Sequence, residues 1–224
     1  MFLDFLQGPA RQVSRLTILG DLFDYWAGDD DLADPFNRGI VAALRNLGDS
    51  GVAVDLMVGN RDFLVGEVFA AASGTTLIPD PTLRSVAGVT TLLTHGDTLC
   101  TDDLAYQRFR AEVRTPAWRA AFLARPLAER KQEIEVLRAR SEKEKGTKPL
   151  SIMDANPAAV HASLLAYQAQ AMIHGHTHRQ HLHEHHVNEK ASRRWVLGDW
   201  HGNCGSALLC EPAAWRWLSV GESA

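Results

Sequence analysis

Four short stretches of this 224-residue chain carry side chains that bind divalent cations, and each follows an apolar run. The run 16–19 leads into Gly20-Asp21-Leu22-Phe23-Asp24, and 52–58 leads into Gly59-Asn60-Arg61-Asp62. The run 89–94 leads into His95-Gly96-Asp97, and 169–173 into His174-Gly175-His176-Thr177-His178. Asp21 offers a carboxylate, a standard ligand for hard cations. Asn60 offers a neutral amide oxygen, and His95 an imidazole. Residues i and i+2 of a strand share a face, so His174 and His176 can reach one ion or a close pair. The planar fork of Arg61 suits a phosphate oxygen. Taken singly, each stretch has a plainer reading: a polar hairpin turn for His-x-His, a helix cap for Asp21, a Gly-Asn turn at 59–60. Together, an Asp, an Asn, a His and a His-x-His at four strand ends point to a metal site. Oxygen and imidazole donors without thiolates fit Mn²⁺ or a similar divalent ion. A carboxylate that bridges two ions suits displacement at phosphorus.

The elements that must present these groups follow from apolar spacing. In α/β sheets, ligands bind at the carboxyl ends of strands, where all four stretches fall. Helical periodicity is expected over 1–15 (interrupted at Gly8-Pro9), 36–47, 63–73 and 152–167, and further short strands at 76–78, 83–86, 195–197, 207–210 and 215–220. Asp29-Asp30-Asp31 reads as a solvated turn with one hydrogen-bonding role, and His181, His183, His185 and His186 as a solvated polar hairpin. Residues 104–150 differ from the rest. They have helical spacing and 12 Lys and Arg against 6 Glu, whereas the remainder of the chain is net acidic. This reads as a helical insertion within a single domain spanning 1–224. A basic face bearing aromatics suits an anionic lipid surface or an anionic amphiphile.

Bulk properties narrow the classes. A hydrophobic share of 46% and a charged share of 22% are ordinary for a globular chain. A net charge of −4 argues against bulk nucleic-acid binding. Cys100, Cys204 and Cys210 form no metal or disulfide pattern and suit a reducing compartment. No apolar run approaches the ~20 residues of a membrane span, and the opening Met1-Phe2-Leu3-Asp4 does not resemble a signal peptide.

The strings Gly-Asp-Leu-Phe-Asp at 20–24, Gly-Asn-Arg-Asp-Phe at 59–63, His-Gly-Asp at 95–97 and His-Gly-His-Thr-His at 174–178 resemble those of the calcineurin-like metallophosphoesterases. Gly-Asp-Asp-Asp at 28–31, His-Gly-Asp-Thr-Leu-Cys-Thr-Asp-Asp at 95–103 and Ser-Ile-Met-Asp-Ala-Asn at 151–156 are similar to the UDP-2,3-diacylglucosamine diphosphatase family in particular. The resemblance implies an α/β (α+β) fold, a β-sandwich flanked by helices with a helical lid at 104–150. It implies two Mn²⁺ bridged by Asp21, with Asn60, His95 and His174 completing one ion and His176 serving the other. Arg61 would contact phosphate, and His174 would assist the leaving group. Asn60, Arg61, Asp103, Ser141, Lys145, Lys148 and His174 would bind substrate. The implied reaction is attack of water on the α-phosphorus of UDP-2,3-diacylglucosamine, giving UMP and lipid X for lipid A biosynthesis. The implied location is cytoplasmic, peripheral on the inner membrane. The family opens with a strand ending in Asp-x-His, and no such motif precedes Asp21 here. The expectation is therefore a missing first strand and one incomplete metal site, from a misplaced start or a truncated gene. The competing expectations are a different nucleotide or phosphoprotein phosphoesterase, or an inactive remnant.

Overall fold

In the computed structural model, which describes residues 1–146, 149 and 152–221, the apolar runs become strands and the periodic segments become helices packed over them. Helix α1 (Phe2–Gln7) buries Phe5 and Leu6 but ends at Gly8, short of the expected span over 1–15. Pro9 cannot donate the next helical hydrogen bond, and it opens a separate 3₁₀ turn, Pro9–Gln12. Strand β1 (Arg15–Leu19) pairs in parallel with β2 (Ala53–Met57), and β2 with β3 (Thr76–Ile78). Helix α2 (Pro35–Asp49) starts where the Asp34 carboxylate accepts from Phe36 N at 2.9 Å, and it buries Ile40, Val41, Leu44 and Leu47. Helix α3 (Glu67–Ser73) begins four residues later than expected, because Gly66 is extended. The hydrogen-bonding role expected within the turn at 29–31 falls to Asp29 and is larger than one bond: its carboxylate accepts from Gly66 N, Phe69 N and Trp26 Nε1, each at 3.0 Å.

A second sheet has the order β4 (Thr82–Val86), β5 (Val89–Thr94), β6 (Ala171–His174), β8 (Lys190–Val196), β7 (His181–Val187). Its inner members β5, β6 and β8 run parallel, and β4 and β7 close the edges antiparallel. The histidine-rich stretch does lie in a hairpin, as its outer arm in register with β8, but it is an edge strand with His183 and His185 half-buried and not a solvated turn. Strands β9 (Cys204–Cys210) and β10 (Trp215–Gly221) form a separate antiparallel pair. Leu19, Met57, Leu93, Ile173 and Trp195 fill the space between the sheets. Helices α1 to α3 cover one outer face.

Between β5 and β6 the chain forms α4 (Leu104–Val113), α5 (Pro116–Leu123) and α6 (Leu127–Lys145). Each of the first two is capped from its own sequence: Asp103 accepts from Tyr106 N, and Thr115 from Trp118 N ahead of Pro116. Helix α6 is tied down by Arg130, 1% exposed, which donates to the Ala27 carbonyl and pairs with Asp30. Lys131 adds a bond to Asp31 at 2.6 Å. Helix α7 (Pro157–Ala166), capped by the Asn156 side chain, covers the other outer face through Val160 and Leu164. The result is a β-sandwich flanked by helices.

Candidate metal and phosphate site

Because β1 and β2 run parallel in one sheet and β5 and β6 in the other, their four carboxyl ends share one rim of the sandwich. One contact continues the β5–β6 pairing and one stitches the sheets together there: Gly175 N donates to His95 O at 3.0 Å, and His95 Nδ1 meets the Leu19 carbonyl of the other sheet at 2.8 Å. A carbonyl only accepts, so that bond places the His95 proton on Nδ1. In the neutral ring Nε2 then carries a lone pair. It lies 3.0 Å from Asn60 Oδ1 and 3.7 Å from Asp21 Oδ1. His176 Nδ1 reaches the same Asn60 oxygen at 2.8 Å. Ligand atoms of Asp21, His95 and His176 all lie within 4.8 Å of one another.

The backbone is shaped for this convergence. A Cβ on Gly59 would stand 2.2 Å from Asp21 Oδ1 and 2.4 Å from Asp21 N, so only glycine fits between the β1 and β2 ends. Asp21 and His176 both adopt left-handed backbone, at φ 54° and 63°. Asp62, buried, accepts from Gly59 N at 2.6 Å and Leu22 N at 2.7 Å, and so clamps the two strand ends. Burial, and then the Asp21 charge, push its pKa up to about 6. Burial, and then His95, push that of His176 down to about 4. At neutral pH the His176 imidazole is therefore a lone-pair donor. Carboxylate, amide oxygen and two imidazoles match a hard-to-borderline divalent cation. Among the described residues a single group of this kind is found.

Arg61 flanks the group, its Nε 3.7 Å from Asp21 Oδ2 and its Nη1 2.9 Å from Asp24 Oδ1. His174 is not brought to the group. Its Nδ1 meets the Gly175 carbonyl at 2.9 Å and its Nε2 meets Arg194 Nη1 at 3.1 Å, at full burial. Burial pushes its pKa down to about 3. Both ring nitrogens are thus occupied, which departs from the expected ligand, substrate-binding and leaving-group roles. Asp103 caps α4 and, with Ser141, lines the cavity beside the group. Lys145 closes α6, and Lys148 lies outside the described residues.

Several residues here had no role in the sequence reading. Asp97 Oδ2 accepts from the Tyr106 hydroxyl at 2.6 Å and Arg110 Nε at 2.7 Å, fastening α4 beside His95. The Tyr106 ring stacks on His176 with centroids 5.8 Å apart. Arg114 Nη2 donates to Gly59 O at 2.7 Å. Asp62 and Asp97 stand two residues after a candidate ligand, which was the available signal. From the Asp21–Asn60–His176 end, a cavity of about 610 Å³ runs under α4 to α6. Phe63, Val113, Trp118, Phe122, Ile134 and Leu137 make its apolar body. Arg110, Arg114, Arg138 and Arg140 make its cationic margin.

Comparison with known proteins identifies close relatives. The chain is 52% identical over 200 residues to the UDP-2,3-diacylglucosamine hydrolase of Aromatoleum aromaticum, covering 89% of this chain and 81% of that one. It is 48% identical over 200 residues to the enzyme of that name from Escherichia coli K12, covering 89% and 83%. The Chromohalobacter salexigens protein of the same name is 46% identical over 213 residues, covering 95% and 86%. No family model matches the chain. A solved archaeal phosphodiesterase aligns with 97% of the chain and 87% of its own at 10% identity and a TM-score of 0.45, a likeness that carries no weight.

Proposed function

The chain belongs to the UDP-2,3-diacylglucosamine hydrolases, and from that premise we propose that it hydrolyses the pyrophosphate of UDP-2,3-diacylglucosamine. The products would be UMP and 2,3-diacylglucosamine 1-phosphate, on the route to lipid A. The observation that carries this reading is one juxtaposition. A cation-binding group flanked by Arg61 opens directly into an apolar cavity with an arginine margin. A diphosphate carrying two acyl chains has that polarity, anionic at one end and apolar at the other.

Asp21, Asn60, His95 and His176 would hold a divalent ion, Mn²⁺ by the chemistry of the donors, which would polarise a phosphoryl oxygen and lower the pKa of water at the α-phosphorus. The protein's own part is preorganisation. The Leu19 carbonyl fixes the His95 tautomer, and Asp62 fixes the spacing of the Asp21 and Gly59 turns. Arg61 supplies a fixed positive fork for the phosphoryl oxygens, whose charge grows during displacement. Tyr106 braces the His176 ring. Helices α4 to α6 act as a lid whose underside receives the acyl chains. Its outer surface, with Leu104 and Val136 more than 60% exposed among arginines, would rest on the cytoplasmic face of the inner membrane. No helix among the described residues is long and apolar enough to cross a membrane.

The test is Mn²⁺-dependent UMP release from UDP-2,3-diacylglucosamine by the 224-residue protein. Release is expected, and His95→Ala is expected to reduce it at least a hundredfold by removing one of the gathered donors. Activity that survives His95→Ala, or that prefers nucleotide or phosphoprotein substrates lacking acyl chains, would overturn the proposal.

A further inference from the structure

A second gathering of imidazoles lies away from the site just described. β7 is the outer strand of the five-stranded sheet and pairs with β8. Alternation along it puts His181, His183 and His185 on one face. The rings of His181 and His183 lie 4.6 Å apart at 67°. That is close to the arrangement of His95 and His176, at 5.1 Å and 69°. Two imidazoles that share one tetrahedral ion at about 2 Å have centroids about 5 Å apart. The centroid separation of the pair is therefore close to that of two ligands on one ion. His185 stands 6.4 Å from His183, and its Nε2 accepts from Arg194 Nε at 3.4 Å, so it is engaged elsewhere.

The surroundings set the class of ion. His181 is exposed, which leaves the approach open. Burial, then Arg194, His181 and His185, lower the His183 pKa, while Asp154 opposes them. A lone pair is therefore available at neutral pH, while the nearby Asp154 carboxylate is already paired with Arg179 at 2.5 Å. Arg194, directly across the ladder from His183, repels a cation and limits affinity. Imidazole donors without carboxylate oxygens favour Zn²⁺ or Ni²⁺ over Mn²⁺ or Mg²⁺.

We propose that His181 and His183 form a separate binding site for a borderline transition-metal ion, Zn²⁺ or Ni²⁺, with water completing its coordination. The experiment is Ni²⁺ titration by calorimetry of the tag-free protein, His181→Gln and His183→Gln. Ni²⁺ also competes for the Asp21–His95–His176 group in all three, so the difference between proteins is the readout. The unsubstituted protein is expected to take up one more Ni²⁺ than either variant, at micromolar concentration. Equal numbers and affinities in all three would overturn the proposal. Should His183→Gln lose its native circular dichroism, the exposed His181→Gln alone decides: an unchanged titration refutes the site, and loss of one Ni²⁺ supports it.

Discussion

Replacing Asp97 by Asn removes one charge and almost no volume from the joint between α4 and the site. Asp97 is fully buried and receives hydrogen bonds from Tyr106 and Arg110. Burial alone would raise its pKa. The neighbouring His95, the Arg110 charge and those two hydrogen bonds outweigh burial and hold the carboxyl at about 2, against an ordinary 3.8. Because the folded value lies below the unfolded one, the unfolded chain binds more protons between the two. Stability from this group is thus complete above about pH 4 and is lost as pH falls toward 2. At about 1.4 kcal/mol per pKa unit, Asp97 contributes roughly 2–3 kcal/mol at pH 7 and about half that at pH 3. Urea unfolding of Asp97→Asn and the unsubstituted protein at both pH values measures this. The gap is expected to be roughly 2–3 kcal/mol at pH 7 and to shrink by about half at pH 3. A gap of equal size at both would assign the loss to packing and refute the electrostatic account, as would no gap at all.

Three further substitutions probe other joints. Gly59→Ala places a methyl 2.2 Å from Asp21 Oδ1, so Mn²⁺ affinity measured by calorimetry is expected to fall at least tenfold; unchanged affinity would show the strand ends are not in contact. Arg130→Met leaves the Ala27 carbonyl without its donor and cuts the tie from α6 to Asp30. A loss of about 1–3 kcal/mol is expected in urea unfolding, with a raised KM for the diacyl substrate. Trp118→Ala removes a ring stacked on Phe122 at 4.7 Å in the cavity wall. Its KM is expected to rise several-fold for long acyl chains and to stay level for short ones, and an equal rise for both would place the chains elsewhere.

The strand ends were legible in the sequence because a buried strand is a short apolar run, and the polar residue that follows it stands at the sheet's carboxyl edge. That is why Asp21, Asn60 and His95 lie together at one rim. The clamps were not legible, because their partners are distant in the chain: Leu22 lies 40 residues before Asp62, and Arg110 lies 13 after Asp97. Asp29 looked solvated for the same reason, its partners Gly66 and Phe69 being 37 and 40 residues away. His-x-His shows where pattern reading itself gives way. Alternation assigns i and i+2 to one face only while the backbone stays extended. His174 is the last residue of β6, and by His176 the backbone has turned left-handed, with φ at 63°. The turn sends the two rings different ways: His176 toward Asn60, His174 toward Arg194. A motif that reads as two equivalent ligands becomes one ring at the metal group and one ring braced within the sheet. That difference goes with the end of the extended strand at His174 and the left-handed backbone at His176, which no residue type in the string specifies.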